Sequence, residues 1–185
     1  MVDVAIVGGG PAGLSAALFT AKNGLETVVF DTDETWMHKA HLFNYPAIRS
    51  ISGSEFMELT RGQVRDRGAE VREGEEVTDV EPSGDGFEIE TEEDTYEADY
   101  VVLATGADRS IAEDLEVAFS DDGTVDVDLD TETSVEDLYA TGAMVRDEEW
   151  QAVIAAGDGA SAALDILSKE KGEHFHDFDV PDDVP

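Results

Sequence analysis

Val2-Asp3-Val4-Ala5-Ile6-Val7-Gly8-Gly9-Gly10-Pro11-Ala12-Gly13-Leu14 lies at the start of the chain and decides its fold. Val2 to Val7 is a short, nearly continuous apolar run rich in β-branched residues, the pattern of a buried strand. Glycines follow at once, and Leu14 to Asn23 is small and apolar enough to be a packed helix. Gly24 marks the stop of that helix, and Thr27-Val28-Val29-Phe30 predicts a second buried strand ending at Asp31. Gly8, Gly10 and Gly13 have the G-x-G-x-x-G spacing of a dinucleotide-binding turn. Gly8 allows a tight exit from the strand, Gly10 lets a pyrophosphate approach the backbone, and Gly13 lets the helix lie close to the sheet. The phosphates of a ligand then meet unpaired N–H groups at the positive end of the helix. Asp31, at the tip of the second strand, is placed to accept from adenosine ribose hydroxyls.

Composition limits what surrounds this unit. At 185 residues the chain is long enough for a full core, and one domain is expected. Strand one begins too early for a signal pattern, and no apolar run is long enough to span a bilayer, so a cytoplasmic protein is expected. The sequence has no cysteine, which excludes disulfides, thiolate metal sites and a dithiol redox pair within it. Acidic residues number 45 against 11 basic ones, a net charge of −34. They are scattered along a chain of ordinary apolar content, 41%, so disorder does not explain them. Such a surface repels itself unless salt screens it, which suits a halophile; an acidic docking surface is the alternative. No basic stripe exists to meet nucleic-acid phosphates.

Beyond Asp31 the pattern is irregular. Thr32 to Ser52 shows no clean period and reads as a long loop with one helical turn. Ser54 is expected to cap a helix whose apolar positions are Phe56, Met57, Leu59 and Val64, ending near Gly68. Ala69 to Val71 and Glu76 to Val80 predict short strands. Ser83-Gly84-Asp85-Gly86 makes a turn before the alternating Phe87-Glu88-Ile89-Glu90, and Tyr96 lies on the return strand of a small β-meander. Tyr100 to Ala104 is another buried strand; Val125 and Val127 alternate with acids as an exposed one. Ala152 to Leu167 is a strong helix with a small-residue packing face. Residues 1–170 form the expected domain, and 171–185 an acidic, Pro-containing, loosely held tail.

Taken together, these pieces resemble the FAD-binding domain of the thioredoxin reductase family. The matching residues are Val7 to Ala17, Asn44-Tyr45-Pro46 with Ile51-Ser52-Gly53, Val101 to Ala107, Thr133 to Val135, Leu138 to Gly142, and Gln151 to Ala163. The resemblance implies an α/β, Rossmann-like FAD/NAD(P)-binding fold of three layers, with a central parallel sheet and a small β-meander. It also implies that Gly8, Gly10, Pro11, Ala12 and Gly13 hold an FAD pyrophosphate and Asp31 the ribose. Asn44 would lie near the flavin, Val77 would contact adenine through its backbone, and Thr105-Gly106 would turn beside the cofactor. Gly142 belongs to the same cofactor-binding set. Gln151 and Ala152 would present a helix N-terminus to the ring, where a positive end stabilises charge on a reduced flavin. Relatives pair through this domain, so a homodimer is expected.

The departures carry equal weight. The family inserts an NADPH domain with a Cys-x-x-Cys after the Ala-Thr-Gly-Ala strand; here Asp108 to Asp122 is far too short for one. Ala143 stands where the family has an aspartate that bonds the ribityl chain, a loss of about 1.5–3 kcal/mol. Trp150 replaces an arginine, and Trp36-Met37-His38 replaces a Gly-Gln-containing turn. Trp36 or Trp150 can stack on the ring, cover the face left bare, or simply pack. His38 and His41 can shuttle a proton or only bond their loop. His174 and His176 beside Asp177 and Asp179 read as a solvated segment rather than a metal site. Two functions stay open. One is a single-domain FAD oxidoreductase, not a complete thioredoxin reductase, exchanging electrons with free nicotinamide or an external redox protein. The other is a non-catalytic interaction or regulatory subunit. NAD in place of FAD is disfavoured by Thr141-Gly142 and the helix that follows.

Overall fold

In the computed structural model, which describes residues 1–180, β1 (Val2–Val7) runs into α1 (Pro11–Lys22) and β2 (Thr27–Asp31). Next come β3 (His41–Leu42), β4 (Ile51–Ser52), α2 (Gly53–Asp66) and β5 (Glu70–Glu73). The meander strands are β6 (Val77–Ser83), β7 (Gly86–Thr91) and β8 (Thr95–Leu103). The short α3 (Ser110–Asp114), β9 (Leu138–Ala140) and α4 (Ala152–Lys171) complete the series. Residues 181–185, the last of the expected tail, lie outside the described residues.

One seven-stranded sheet organises the molecule. Its parallel part has the order β5-β2-β1-β8-β9, with Val4 facing Thr27 on one side and Tyr100 on the other. The first half of β8 pairs antiparallel with β7, and β7 with β6, so the meander grows from the same strand. Alternation along β1 then divides the core. Val4 and Ile6 meet Leu14, Ala17, Met57 and Ile166 in the helical layer. Ala5 and Val7 meet Val80, Phe87 and Ile89 in the meander layer. The three layers and the parallel sheet expected from the sequence are therefore present.

Several local expectations change. The first helix begins at Pro11, because Gly10 and Pro11 supply its N-cap and first position. Ser52, not Ser54, caps α2: its hydroxyl accepts from Glu55 N–H at 3.2 Å. The loop after Asp31 holds its helical turn at Trp36–Lys39 and also the small β3–β4 hairpin. Tyr96 and Tyr100 share one strand, since β8 serves meander and central sheet together. Val125 and Val127 form no exposed strand; Val125 is buried, and β9 is the strand that returns to the sheet. The described part of the tail, residues 171–180, is tied down rather than loosely held: Lys22 Nζ donates to Asp177 at 2.7 Å, and Phe175 N–H to Ser168 Oγ at 3.0 Å.

Candidate functional site

The C-terminal ends of β1, β2, β8 and β9 open into one cleft of about 820 Å³, where ligands of open parallel sheets bind. It is lined by Gly8, Gly10, Pro11, Ala12, Asp31, Val77, Thr105, Gly106, Gly142, Gln151 and Ala152, all singled out from the sequence. Gly13 and Asn44 are not part of this lining. Gly13 lies under the turn, where a Cβ would sit 1.9 Å from Gly8 O. The Asn44 amide donates to Gln151 Oε1 at 2.8 Å, fastening the loop after β2 to the start of α4.

Two helix N-termini lie at this cleft. In α1 the first helical bond runs from Leu14 N–H to Gly10 O at 2.9 Å, so the N–H groups of Ala12 and Gly13 precede the ladder. In α4 the first bonds are Ile154 and Ala155 N–H to Gln151 O, leaving Ala152 and Val153 in the same position. Neither helix has a side-chain cap or an acid in its first turn, in a chain with 45 acidic residues. Their partial positive charge is left for a ligand. The glycines sharpen this. A Cβ on Gly8, whose φ is +110°, would sit 2.3 Å from Ala104 O, and one on Gly9 would sit 2.2 Å from Asp31 Cγ. A Cβ on Gly10 would meet only Thr35 Oγ1, at 3.9 Å. Folding thus explains Gly8, Gly9 and Gly13, whereas Gly10 leaves room that the protein itself does not fill.

Asp31 is buried and holds a partner the sequence reading missed. Arg61, from α2, donates through Nε to Asp31 Oδ2 at 2.9 Å, and its Nη2 forms an ion pair with the same oxygen at 2.8 Å. Nη2 also reaches Asp33. Burial pulls the Arg61 pKa down, but the Asp33 and Asp31 carboxylates outweigh it and the net shift is upward. Arg61 follows Met57 by four residues and precedes Val64 by three, on the buried face. A charge in an apolar stripe was the signal available. Beyond Asp31, Glu75 is buried at the Val77 end and accepts from Thr91 Oγ1 at 2.8 Å and Tyr96 OH at 3.0 Å. Burial and the Glu75 carboxylate push Tyr96 up to about 12.

Trp36 and Trp150 line the cleft's other end and pack against each other, ring centroids 5.2 Å apart at 51°. Both histidines of the loop are occupied. His38 bonds Ser54 Oγ at 2.9 Å and Asp33 Oδ1 at 2.8 Å; His41 bonds Ser50 Oγ at 2.9 Å. The His38 bond is the main cause that lowers the Asp33 pKa, against burial and with help from Arg61. Neither histidine lines the cleft, so loop bonding is the reading that fits. The turn at Gly142–Val145 is clasped by Arg109, whose Nε donates to Met144 O at 2.9 Å, and by an Arg146–Asp158 pair at 2.5 Å. No group of three or more metal-ligating side chains occurs among the described residues. Nor is any described helix long and apolar enough to cross a membrane.

The family model for pyridine nucleotide-disulphide oxidoreductases matches residues 2–52 and 44–160. The chain belongs to this family. Thioredoxin reductase of Treponema pallidum is 39% identical over 117 residues, 58% of this chain and 36% of that protein. Thioredoxin reductase of Peptoclostridium acidaminophilum is 33% identical over 114 residues, 60% of this chain and 36% of that protein. The matched region thus spans about a third of these curated relatives' length. A thioredoxin reductase structure from Gloeobacter violaceus superposes with a TM-score of 0.87 at 22% identity, covering 97% of this chain and 98% of that one. The fold is that of a thioredoxin-reductase-like domain. Within it, the chain connects β8 to β9 through Ala104 to Asp137, a segment carrying only α3. That stretch is too short for an inserted domain.

Proposed function

We propose that this domain binds FAD and acts as an oxidoreductase exchanging electrons with an external donor or partner. The carrying observation is the convergence of two uncapped, acid-free helix N-termini on one cleft, with Gly10 leaving room beside them. Gly8 to Gly13 would hold the pyrophosphate, Asp31 the adenosine ribose and the Val77 backbone the adenine. Gln151 and Ala152 would present the N–H groups of α4 to the ring system, with Asn44 holding Gln151 in place. Bound FAD supplies the electron-accepting chemistry. The chain's own part is to bind it, orient it and stabilise negative charge at the start of α4.

The sequence contains no cysteine, so reducing equivalents would come from free nicotinamide or a separate redox protein. The Trp36–Trp150 pair would cover the outer side of the ring end. A homodimer working in concentrated salt, away from membranes and nucleic acid, fits the family and the charge. One observation favours the second reading, a non-catalytic interaction subunit. Ala143, at the cleft, offers only a methyl group where a ribityl-bonding carboxylate is expected. The missing bond weakens FAD by roughly 10- to 150-fold without abolishing the site.

The test is an absorbance spectrum of protein purified in multimolar KCl, then titration with FAD and addition of NADH or NADPH. Flavin bands that bleach on reduction are expected. Bound flavin that no donor reduces would support the interaction subunit, and folded protein indifferent to FAD would overturn the cofactor assignment.

A further inference from the structure

A pyrophosphate brings negative charge into this cleft, yet none of the described residues lining it is a lysine, arginine or histidine. In a chain of net charge −34 its oxygens must be met by neutral donors, backbone N–H groups and hydroxyls. Most hydroxyls of the lining are already spent on the protein. Thr78 donates to Glu90 O at 3.2 Å, Thr105 to Asp108 O at 2.6 Å, Ser110 to Asp108 Oδ1 at 2.8 Å and Thr141 to Leu103 O at 3.0 Å. Thr32 is exposed, so water satisfies it. Thr35 differs. It is half-buried, and among the described residues its hydroxyl only accepts, from Met37 N–H at 3.3 Å. Its own proton is left for an acceptor that the protein does not supply.

Thr35 also stands where the phosphates are expected. A Cβ on Gly10 would meet a single atom within 4 Å, the Thr35 Oγ1 at 3.9 Å. The hydroxyl thus borders the space that Gly10 leaves open. An oxygen lying against Gly10 has room to approach it to about 2.7 Å, an ordinary O–H···O length. The side chain is held in place, because Thr35 caps the turn Trp36–Lys39. That turn is seated on α2, where a Cβ on Gly53 would sit 1.8 Å from Met37 O. We infer that the Thr35 hydroxyl donates to the pyrophosphate from the side opposite α1, so that the diphosphate is held by two elements without a basic side chain. This rests on the adenine-dinucleotide reading of the cleft.

Calorimetric titration of flavin-free protein in multimolar KCl with ADP and with adenosine tests the inference. Thr35→Val keeps the shape of the side chain and removes the donor. It should weaken ADP about tenfold or more and leave adenosine, which carries no phosphate, within about twofold. Valine also loses the cap of the turn, so Thr35→Asp separates the two roles. Aspartate caps as well as threonine but sets a carboxylate against the phosphates. It should weaken ADP at least as much as valine does, again with adenosine within about twofold, while Thr35→Ser should bind ADP within about threefold of wild type. A Thr35→Asp protein that binds ADP as wild type does would overturn the inference. So would a Thr35→Val protein that loses ADP and adenosine equally, since Thr35 would then only hold its turn. Wild-type protein that binds neither ADP nor FAD would remove the dinucleotide reading and the inference with it, an outcome seen before any substitution is made.

Discussion

Gly10 and Gly159 separate what glycine does for a ligand from what it does for the fold. A Cβ on Gly159 would stand 2.0 Å from Ala12 O, where α4 crosses α1, so the two helices would have to part. Gly159→Ala should cost about 1–3 kcal/mol, measured by denaturant unfolding in concentrated KCl. At Gly10 the backbone is extended, with φ of −77°, and a methyl group has room. Gly10→Ala should therefore change stability by less than about 1 kcal/mol, while the methyl group intrudes on the pyrophosphate and weakens FAD at least tenfold. Unfolding and flavin titration of the two variants would give opposite patterns; a Gly10→Ala protein with unchanged FAD affinity would place the phosphates elsewhere. The same residues show how far the sequence carries at this scale. The spacing exposes Gly8, Gly10 and Gly13 as a set, because the phosphate turn fixes their separations. It says nothing of Gly9 or Gly159, whose neighbours, the Asp31 carboxylate and the Ala12 carbonyl, arrive from other elements.

Elements were legible where their burial was uniform and obscure where one element served two neighbours. β1 and β2 are buried on both faces over most of their length and read as continuous apolar runs. β8 begins as a half-buried meander strand and ends fully buried beside β1 and β9, so its pattern changes midway and resembles two strands. Val125 alternates with acids as an exposed strand does, yet it packs into the meander-side core because β9 returns the chain to that layer. The start of α2 was displaced by two residues. Both serines have the right chemistry, but Ser54 is occupied by His38 and only Ser52 accepts from the helix. Ser52→Ala should cost about 1 kcal/mol and Ser54→Ala no more than about 0.5, read from unfolding midpoints. Equal costs would show that the cap is not where the geometry puts it. The cleft residues were legible because the turn, the strand ends and α4 each carry their own motif. The Trp36–Trp150 contact was not, since it needs the turn after β2 to meet the start of α4. These are the two tryptophans of the sequence, so intrinsic fluorescence reports on that end of the cleft alone. Their emission should fall by more than half as FAD saturates, through proximity to the ring. Flavin that binds without changing the emission would be seated away from this pair.

For the whole molecule, a net charge of −34 sets two opposing dependences on pH. Burial, then the neighbouring Asp3, Glu170 and Asp137, raises the Asp99 pKa above 3.8. Burial, then Asp165 and Asp128, does the same for Asp130. A carboxyl whose folded pKa is raised costs stability when ionised, and the cost is relieved as pH falls through the folded value towards 3.8. Other carboxyls have the reverse sign. The Ser120 and Thr124 hydroxyls hold Asp122 down to about 2, and Ser110 lowers Asp108. Their contribution is present above 3.8 and is lost as pH drops through the folded values. Stability in dilute buffer should therefore rise as the pH is lowered from neutrality, pass through a maximum somewhat above 3.8, and fall beyond it. Salt acts unequally on the two limbs. Repulsion among exposed carboxylates is screened within a few ångströms at molar ionic strength, whereas the Asp122 bonds are short and local. In multimolar KCl the rise from neutrality should shrink to the part that burial causes, while the acid limb remains. Thermal unfolding across that pH range at low and high KCl gives both curves. A melting temperature that climbs steadily with pH in dilute buffer would mean that local hydrogen bonds, and not self-repulsion, govern the stability of this acidic fold.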